Sequence, residues 1–256
     1  MTGLVRAEWT KLFSTRTWIG LLLGACLLVG GVTALFTGLA GSSGGNGQQG
    51  FPPVGDASFQ RFTLAQISQA AVFALILGVI GMTQEYRHRT ATPTFLVTPR
   101  RGRVVVAKLI GYALAAVPFA VVVAGVGLLV LEVYGGARGA TIPLTDGNLR
   151  VLLYAGLALV VYAVIGVGVG ALVRNQVGAI VGGLVYLRVV EPIVAAVPAT
   201  APAYKWLPGG ALQAMTAGVP GGPDVLQPWQ GAVLLLGYGL LAALLGTLLT
   251  VRRDVV

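Results

Sequence analysis

A helix needs about 20 residues to cross the hydrocarbon core of a bilayer. Six stretches of this chain meet that length with nearly unbroken apolar sequence, at 18–40, 66–84, 104–133, 149–173, 177–198 and 230–251. A soluble core cannot hide this much apolar surface, whereas helices surrounded by lipid have no need to hide it. The charged fraction agrees: it is 10%, against about 25% in soluble domains. Glycine is abundant, at 38 residues of 256, but without the three-residue period of a collagen. The expectation is an all-α, polytopic membrane protein forming one transmembrane domain over residues 1–256. The third stretch is longer than a bilayer requires and contains Pro118, which predicts a kink or a strong tilt.

Six spans return both termini to one side of the membrane. Of the 17 Lys and Arg, twelve fall on that side: Arg6, Lys11, Arg16, Arg87, Arg89, Arg100, Arg101, Arg103, Lys108, Arg174, Arg252 and Arg253. Arg61, Arg138, Arg150 and Lys205 fall on the other, and Arg188 lies within a span. The bias places both termini in the cytoplasm. The first stretch, at about 23 residues, exceeds the 7–15 of a signal-peptide core, so it is expected to stay as an uncleaved helix. Ahead of it, Val5, Trp9, Leu12, Phe13 and Arg16 share one side of a helical wheel over 1–17, which suits a helix lying along the inner membrane surface. On the outer side, 41–50 is a flexible Gly/Ser/Asn/Gln tract, and 199–229 carries Tyr204 and Trp206 in a pattern that suits short helices at headgroup depth. No internal repeat supports an inverted-repeat carrier.

Little of the chain suits an active site. Cys26 has no second thiol, and His88 is the only histidine, which excludes disulfides, thiolate zinc sites and HExxH chemistry. The only lysines, Lys11, Lys108 and Lys205, follow Thr10, Ala107 and Tyr204, so there is no phosphate-binding Gly-Lys-Ser/Thr. Gly166-x-Gly168-x-x-Ala171 matches a dinucleotide fingerprint as a string but lies inside the fourth span, where close helix packing through Gly166, Gly170, Gly178 and Gly182 is the expected use. No catalytic residue, metal or bound cofactor is expected. The net charge of +9 is read as membrane topology, with no nucleic-acid partner.

Charges inside a membrane are costly and mark functional candidates. Arg188 and Glu191 stand i,i+3 on the fifth span, about 17 Å from its start, and form an intramembrane polar pair. The pair either lines a path or a protomer interface, or it fixes helix packing. Glu132, near the end of the third span, is expected to reach water. Gln66, Ser68, Gln69, Thr83, Gln84, Asn175 and Gln176 are placed towards span ends. The most distinctive segment is the loop of residues 85–103 between the second and third spans. It mixes charge with Phe95 and Leu96, and Thr92-Pro93 can start a short helix. Those apolar residues either enter a soluble partner's groove or dip into the membrane surface.

This loop resembles that of type-2 ABC exporter permeases, the membrane subunits of export-type ATP-binding-cassette transporters. Their pattern is a Glu ending span two, a Gly-Thr pair, and a Pro-Ser/Arg step into a span carrying a Lys. Glu85, Thr90, Pro99, Arg100 and Lys108 match it, and Arg89 stands where Gly is usual. The likeness extends over the whole chain, and the segment from Leu172 to Pro192 resembles actinobacterial members. It implies a permease that is not itself an enzyme, in the bacterial plasma membrane, paired with a second permease copy, identical or related. Two ATPase subunits would carry the ATP and magnesium. It further implies a coupling helix in the loop after span two and short re-entrant helices before span six. The residues expected to form or support the ATPase contact are Glu85, Arg87, His88, Thr90, Thr94 and Phe95. The low polarity of the spans suggests an amphiphilic cargo: a drug, a peptide or a lipid. The alternatives are a stand-alone ion- or proton-coupled carrier working through Arg188 and Glu191, and a non-transporting anchor subunit.

Overall fold

The computed structural model describes residues 2–42, 50–87, 101–173, 175–216 and 225–252, and within them all regular structure is helical. His88, Thr90, Thr94 and Phe95 lie outside the described residues. Helix α1 (Thr2–Ser14) precedes six helices long and apolar enough to cross a membrane. These are α2 (Thr17–Leu39), α3 (Ala57–Arg87), α4 (Arg101–Ala137), α5 (Asp146–Val173), α6 (Gln176–Ala196) and α9 (Pro228–Arg252). Two short helices, α7 (Ala201–Tyr204) and α8 (Pro208–Met215), stand between α6 and α9. In lipid a helix alone can satisfy its own backbone, which is why Val- and Gly-rich sequence that would be a poor helix former in water is helical here. Helix α4 runs unbroken through Pro118 for 37 residues, about 55 Å, well beyond the hydrocarbon thickness.

Helix α5 is the centre of the bundle, packed by α3, α4 and α9, while α2 and α1 lie against α4. The α3–α5 contact is made backbone to backbone. A Cβ on Gly78 would overlap the Ala163 carbonyl, and one on Gly166 would overlap the Leu75 carbonyl. Gly170 continues the seam against Met82 and Val79. Gly178 meets only its sequence neighbours Asn175 and Val173, at ordinary contact distance, and Gly182 meets nothing within 4 Å, so the close packing expected of all four glycines is confined to Gly166 and Gly170. Helices α2 and α6 are the least covered spans and present apolar faces outward.

Helix α3 departs from its expected start. It begins at Ala57, nine residues before Gln66, so Gln66, Ser68 and Gln69 lie inside the span and not at its end. Gln60, which interrupts the apolar run, is satisfied within the protein. Gln60 donates to the Val54 and Thr141 carbonyls at 3.2 and 3.0 Å and accepts from the Asn148 amide at 2.9 Å. Residues 66–70 form a 3₁₀ turn in α3, and residues 186–190 form a π turn in α6. Such irregular turns within a span are tolerated where neighbouring protein re-satisfies the backbone, and they recur at functional sites.

Candidate functional site

Four charged side chains close into a ring at the end of the bundle where α3 stops and α4 begins. Lys108 on α4 is wholly buried, and its ammonium has three donors for three acceptors. It meets Glu8 Oε2 at 2.7 Å, Glu85 Oε1 at 3.0 Å and the Gly81 carbonyl at 3.2 Å. Lys11 completes the ring, 2.9 Å from Glu8 Oε1 and 2.7 Å from Glu85 Oε1. Two cations and two carboxylates balance, which is the condition under which buried charge is tolerated. Burial works against the charge on Lys11, but hydrogen bonds to Glu85 and Glu8 outweigh it and raise its pKa above the ordinary lysine value. The ring ties together three segments distant in sequence: α1, the end of α3 and the first turns of α4.

The local sequence explains the ring. Glu8 and Lys11 are i,i+3 on α1 and share a face. That face also buries Leu12, and the Trp9 indole donates to the Gly111 carbonyl at 3.1 Å. The face of α1 carrying Glu8 and Leu12 is therefore turned to the bundle, while Phe13 remains exposed and stacks edge-on with Trp18 at 5.2 Å. Lys108, counted above among the basic residues of the cytoplasmic side, is a buried structural cation. Glu85 sits in the ring, and Arg87 donates to the Gln176 side chain at 3.4 Å, joining α3 to the start of α6. Glu8 was missed in the sequence. The signal was there: a lysine set in the run Val104-Val105-Val106-Ala107-Lys108-Leu109-Ile110 requires a carboxylate partner.

A second polar site lies further along the bundle, where the two irregular turns meet. A cavity of about 300 Å³ is bounded by α3, α5, α6, α7 and α8, and Arg188 and Glu191 both line it. They do not form the ion pair that their spacing allows. Arg188 Nη1 donates to Gln69 Oε1 at 2.7 Å and Nη2 to the Gln69 carbonyl at 3.3 Å, bridging the π turn to the 3₁₀ turn. The wider i→i+5 turn between the two residues alters the side-by-side placement of a regular helix. Glu191 is 2% exposed and interacts with the Tyr186 hydroxyl and the Gly209 amide. Any side chain at position 209 would overlap its Oε2, and one at position 210 would overlap the Tyr204 carbonyl, so Pro208-Gly209-Gly210 is what lets α8 start against this carboxylate. Glu132 is exposed.

Among the described residues no group of three or more His, Cys, Asp or Glu is placed to hold a metal ion. No curated protein matches the chain. The model of one family, described as "ABC-2 family transporter protein", matches residues 4–189, from α1 through the π turn of α6. That span covers most of the chain and includes the charged ring and Arg188. The chain belongs to the ABC-2 transporter family, as the multi-pass membrane permease subunit that associates with an ATP-binding-cassette ATPase and is not catalytic by itself.

Proposed function

We propose that this permease exports an amphiphilic substrate (a drug, a peptide or a lipid) across a bacterial plasma membrane, with both termini in the cytoplasm. It works with a second permease copy, identical or related, above two ATPase subunits that bind the ATP and magnesium. Helix α1 lies at the inner membrane surface, and α7 and α8 form short re-entrant helices on the outer side. The observation that carries this reading is the charged ring. It supplies a stiff joint between α1, the segment entering the 85–103 loop and the segment leaving it. A force applied to that loop is delivered to α3 and α4 together, since neither can move without breaking a buried ion pair.

The sequence carries no phosphate-binding Gly-Lys-Ser/Thr, so the driving force arrives through contact. Coupling requires that the nucleotide state of the ATPase change the free energy of that contact and so bias the permease between conformations. Glu85, Arg87, His88, Thr90, Thr94 and Phe95 form or support it, with the charged members meeting the ATPase surface and Phe95 acting as the apolar anchor. Co-purification in mild detergent tests the partnership. The ATPase should be recovered with the wild-type permease and lost when Glu85 and Phe95 are both replaced. Phe95→Asp alone should abolish ATP-driven transport while membrane insertion remains at wild-type level. Wild-type transport by that variant would remove Phe95 from the contact.

A further inference from the structure

The geometry points to the cavity between α3, α5, α6, α7 and α8 as a binding site for the protonated amine of an amphiphile, with Glu191 as its counter-ion. The inference rests on the exporter reading and adds a substrate class to it. Glu191 Oε1 is buried with no hydrogen-bond partner, and so is the hydroxyl of Tyr162, which is 1% exposed. Both residues line the same cavity. A buried carboxylate oxygen without a donor is costly, and the cost is recovered when a ligand brings a charged N–H to it.

The protein's own cation does not fill this role. Arg188 is held by both oxygens of Gln69, and among the described residues no ion pair involves Glu191. What the cavity offers is therefore an acceptor, not a second donor. Its walls suit the rest of such a ligand: the rings of Phe62 and Tyr204 favour a neighbouring cation, and Leu187 and Leu212 supply apolar surface for an alkyl portion. An anion would meet the Glu191 carboxylate.

The test is equilibrium binding of a pyrene-labelled dodecylamine and its N-acetylated, uncharged counterpart. The permease–ATPase complex is held in phosphatidylcholine nanodiscs without nucleotide, and binding to empty nanodiscs is subtracted. The amine should bind about tenfold more tightly than the amide. Glu191→Gln should reduce the preference to within about twofold, and Glu132→Gln, at an exposed acid, should preserve it. Tyr162→Phe, which keeps the ring and removes the unpartnered hydroxyl, should weaken amine binding about threefold. If Glu191→Gln does not fold, Gly209→Ala displaces the same carboxylate and should lower the preference likewise. Equal binding of the two probes by the wild type, or a preference that survives the loss of Glu191, overturns the inference. So does a Glu191 that only takes up a proton, seen as a pH-dependent ATPase rate without amine selectivity. ATP-driven transport in proteoliposomes is scored separately. Transport without amine preference would overturn the site and keep the exporter reading, whereas amine preference without ATP-driven transport would keep the site and remove that reading.

Discussion

Lys108→Met should be among the most damaging single substitutions in the chain, costing about 3–5 kcal/mol of stability and abolishing coupled transport. Methionine matches the length and volume of lysine, so the loss isolates charge from packing. What remains is two carboxylates, Glu8 and Glu85, each about 95% buried, with only Lys11 between them. Lys11→Met makes the comparison. Its side chain is 41% exposed, so water and salt compensate for its removal, and the expected loss is near 1 kcal/mol or less. Thermal unfolding in detergent, followed by size-exclusion fluorescence, ranks the two. Lys108→Met combined with Glu85→Gln should regain part of the loss, because the second change removes the charge that the first left unpaired. Equal losses for Lys11→Met and Lys108→Met, or no recovery in the double variant, would mean that the ring does not hold these segments together.

The membrane class and the six spans were legible in the sequence because lipid imposes a length and a composition on any helix that crosses it. The order of charged residues around the 85–103 loop was legible for a related reason, since so few charges occur that each one is conspicuous. Partners across the fold were not. Periodicity on α1 places Trp9 and Leu12 together, but it says nothing of whether that face meets lipid or protein, and Glu8 has meaning only once Lys108 is opposite it. The same limit applied to Gln66, Ser68 and Gln69. Hydropathy starts the second span at Gln66, after the polar Gln60 and Arg61, yet Gln60 is satisfied by Thr141 and Asn148, more than 80 residues away in sequence. Arg188 and Glu191 were identified as candidates by their depth, but their separate partners depend on a π turn that no local pattern marks.

Gly78→Ala and Gly166→Ala should each destabilise the bundle by at least about 1–3 kcal/mol, the range for overpacking a close-fitted interior. The reason lies in what each methyl group would meet. At Gly78 it falls on the Ala163 carbonyl and comes within 2.8 Å of the Val167 nitrogen. At Gly166 it falls on the Leu75 carbonyl and comes within 3.0 Å of the Val79 nitrogen. A side chain can turn aside from such a clash, but a helix backbone can yield only by moving the whole helix. Without a hydrophobic force between helices in lipid, close backbone approach is a main source of their attraction, and it falls away as they separate. Gly156→Ala supplies the control on the same helix, since nothing lies within 4 Å of a Cβ there, and it should be neutral or slightly stabilising through helix propensity. The double variant Gly78→Ala/Gly166→Ala should cost less than the sum of the singles, because the two methyl groups open the same gap. Function should follow the gap. Helix α3 carries Glu85 at one end and Gln69 on the cavity wall, and α5 carries Tyr162 opposite. Prying α3 from α5 should therefore weaken amine binding and coupling together, whereas Lys108→Met should abolish coupling and leave the amine preference in place. Loss of amine preference in Lys108→Met, with Gly166→Ala unaffected in either readout, would overturn this division between a force-receiving joint and a substrate cavity linked through α3.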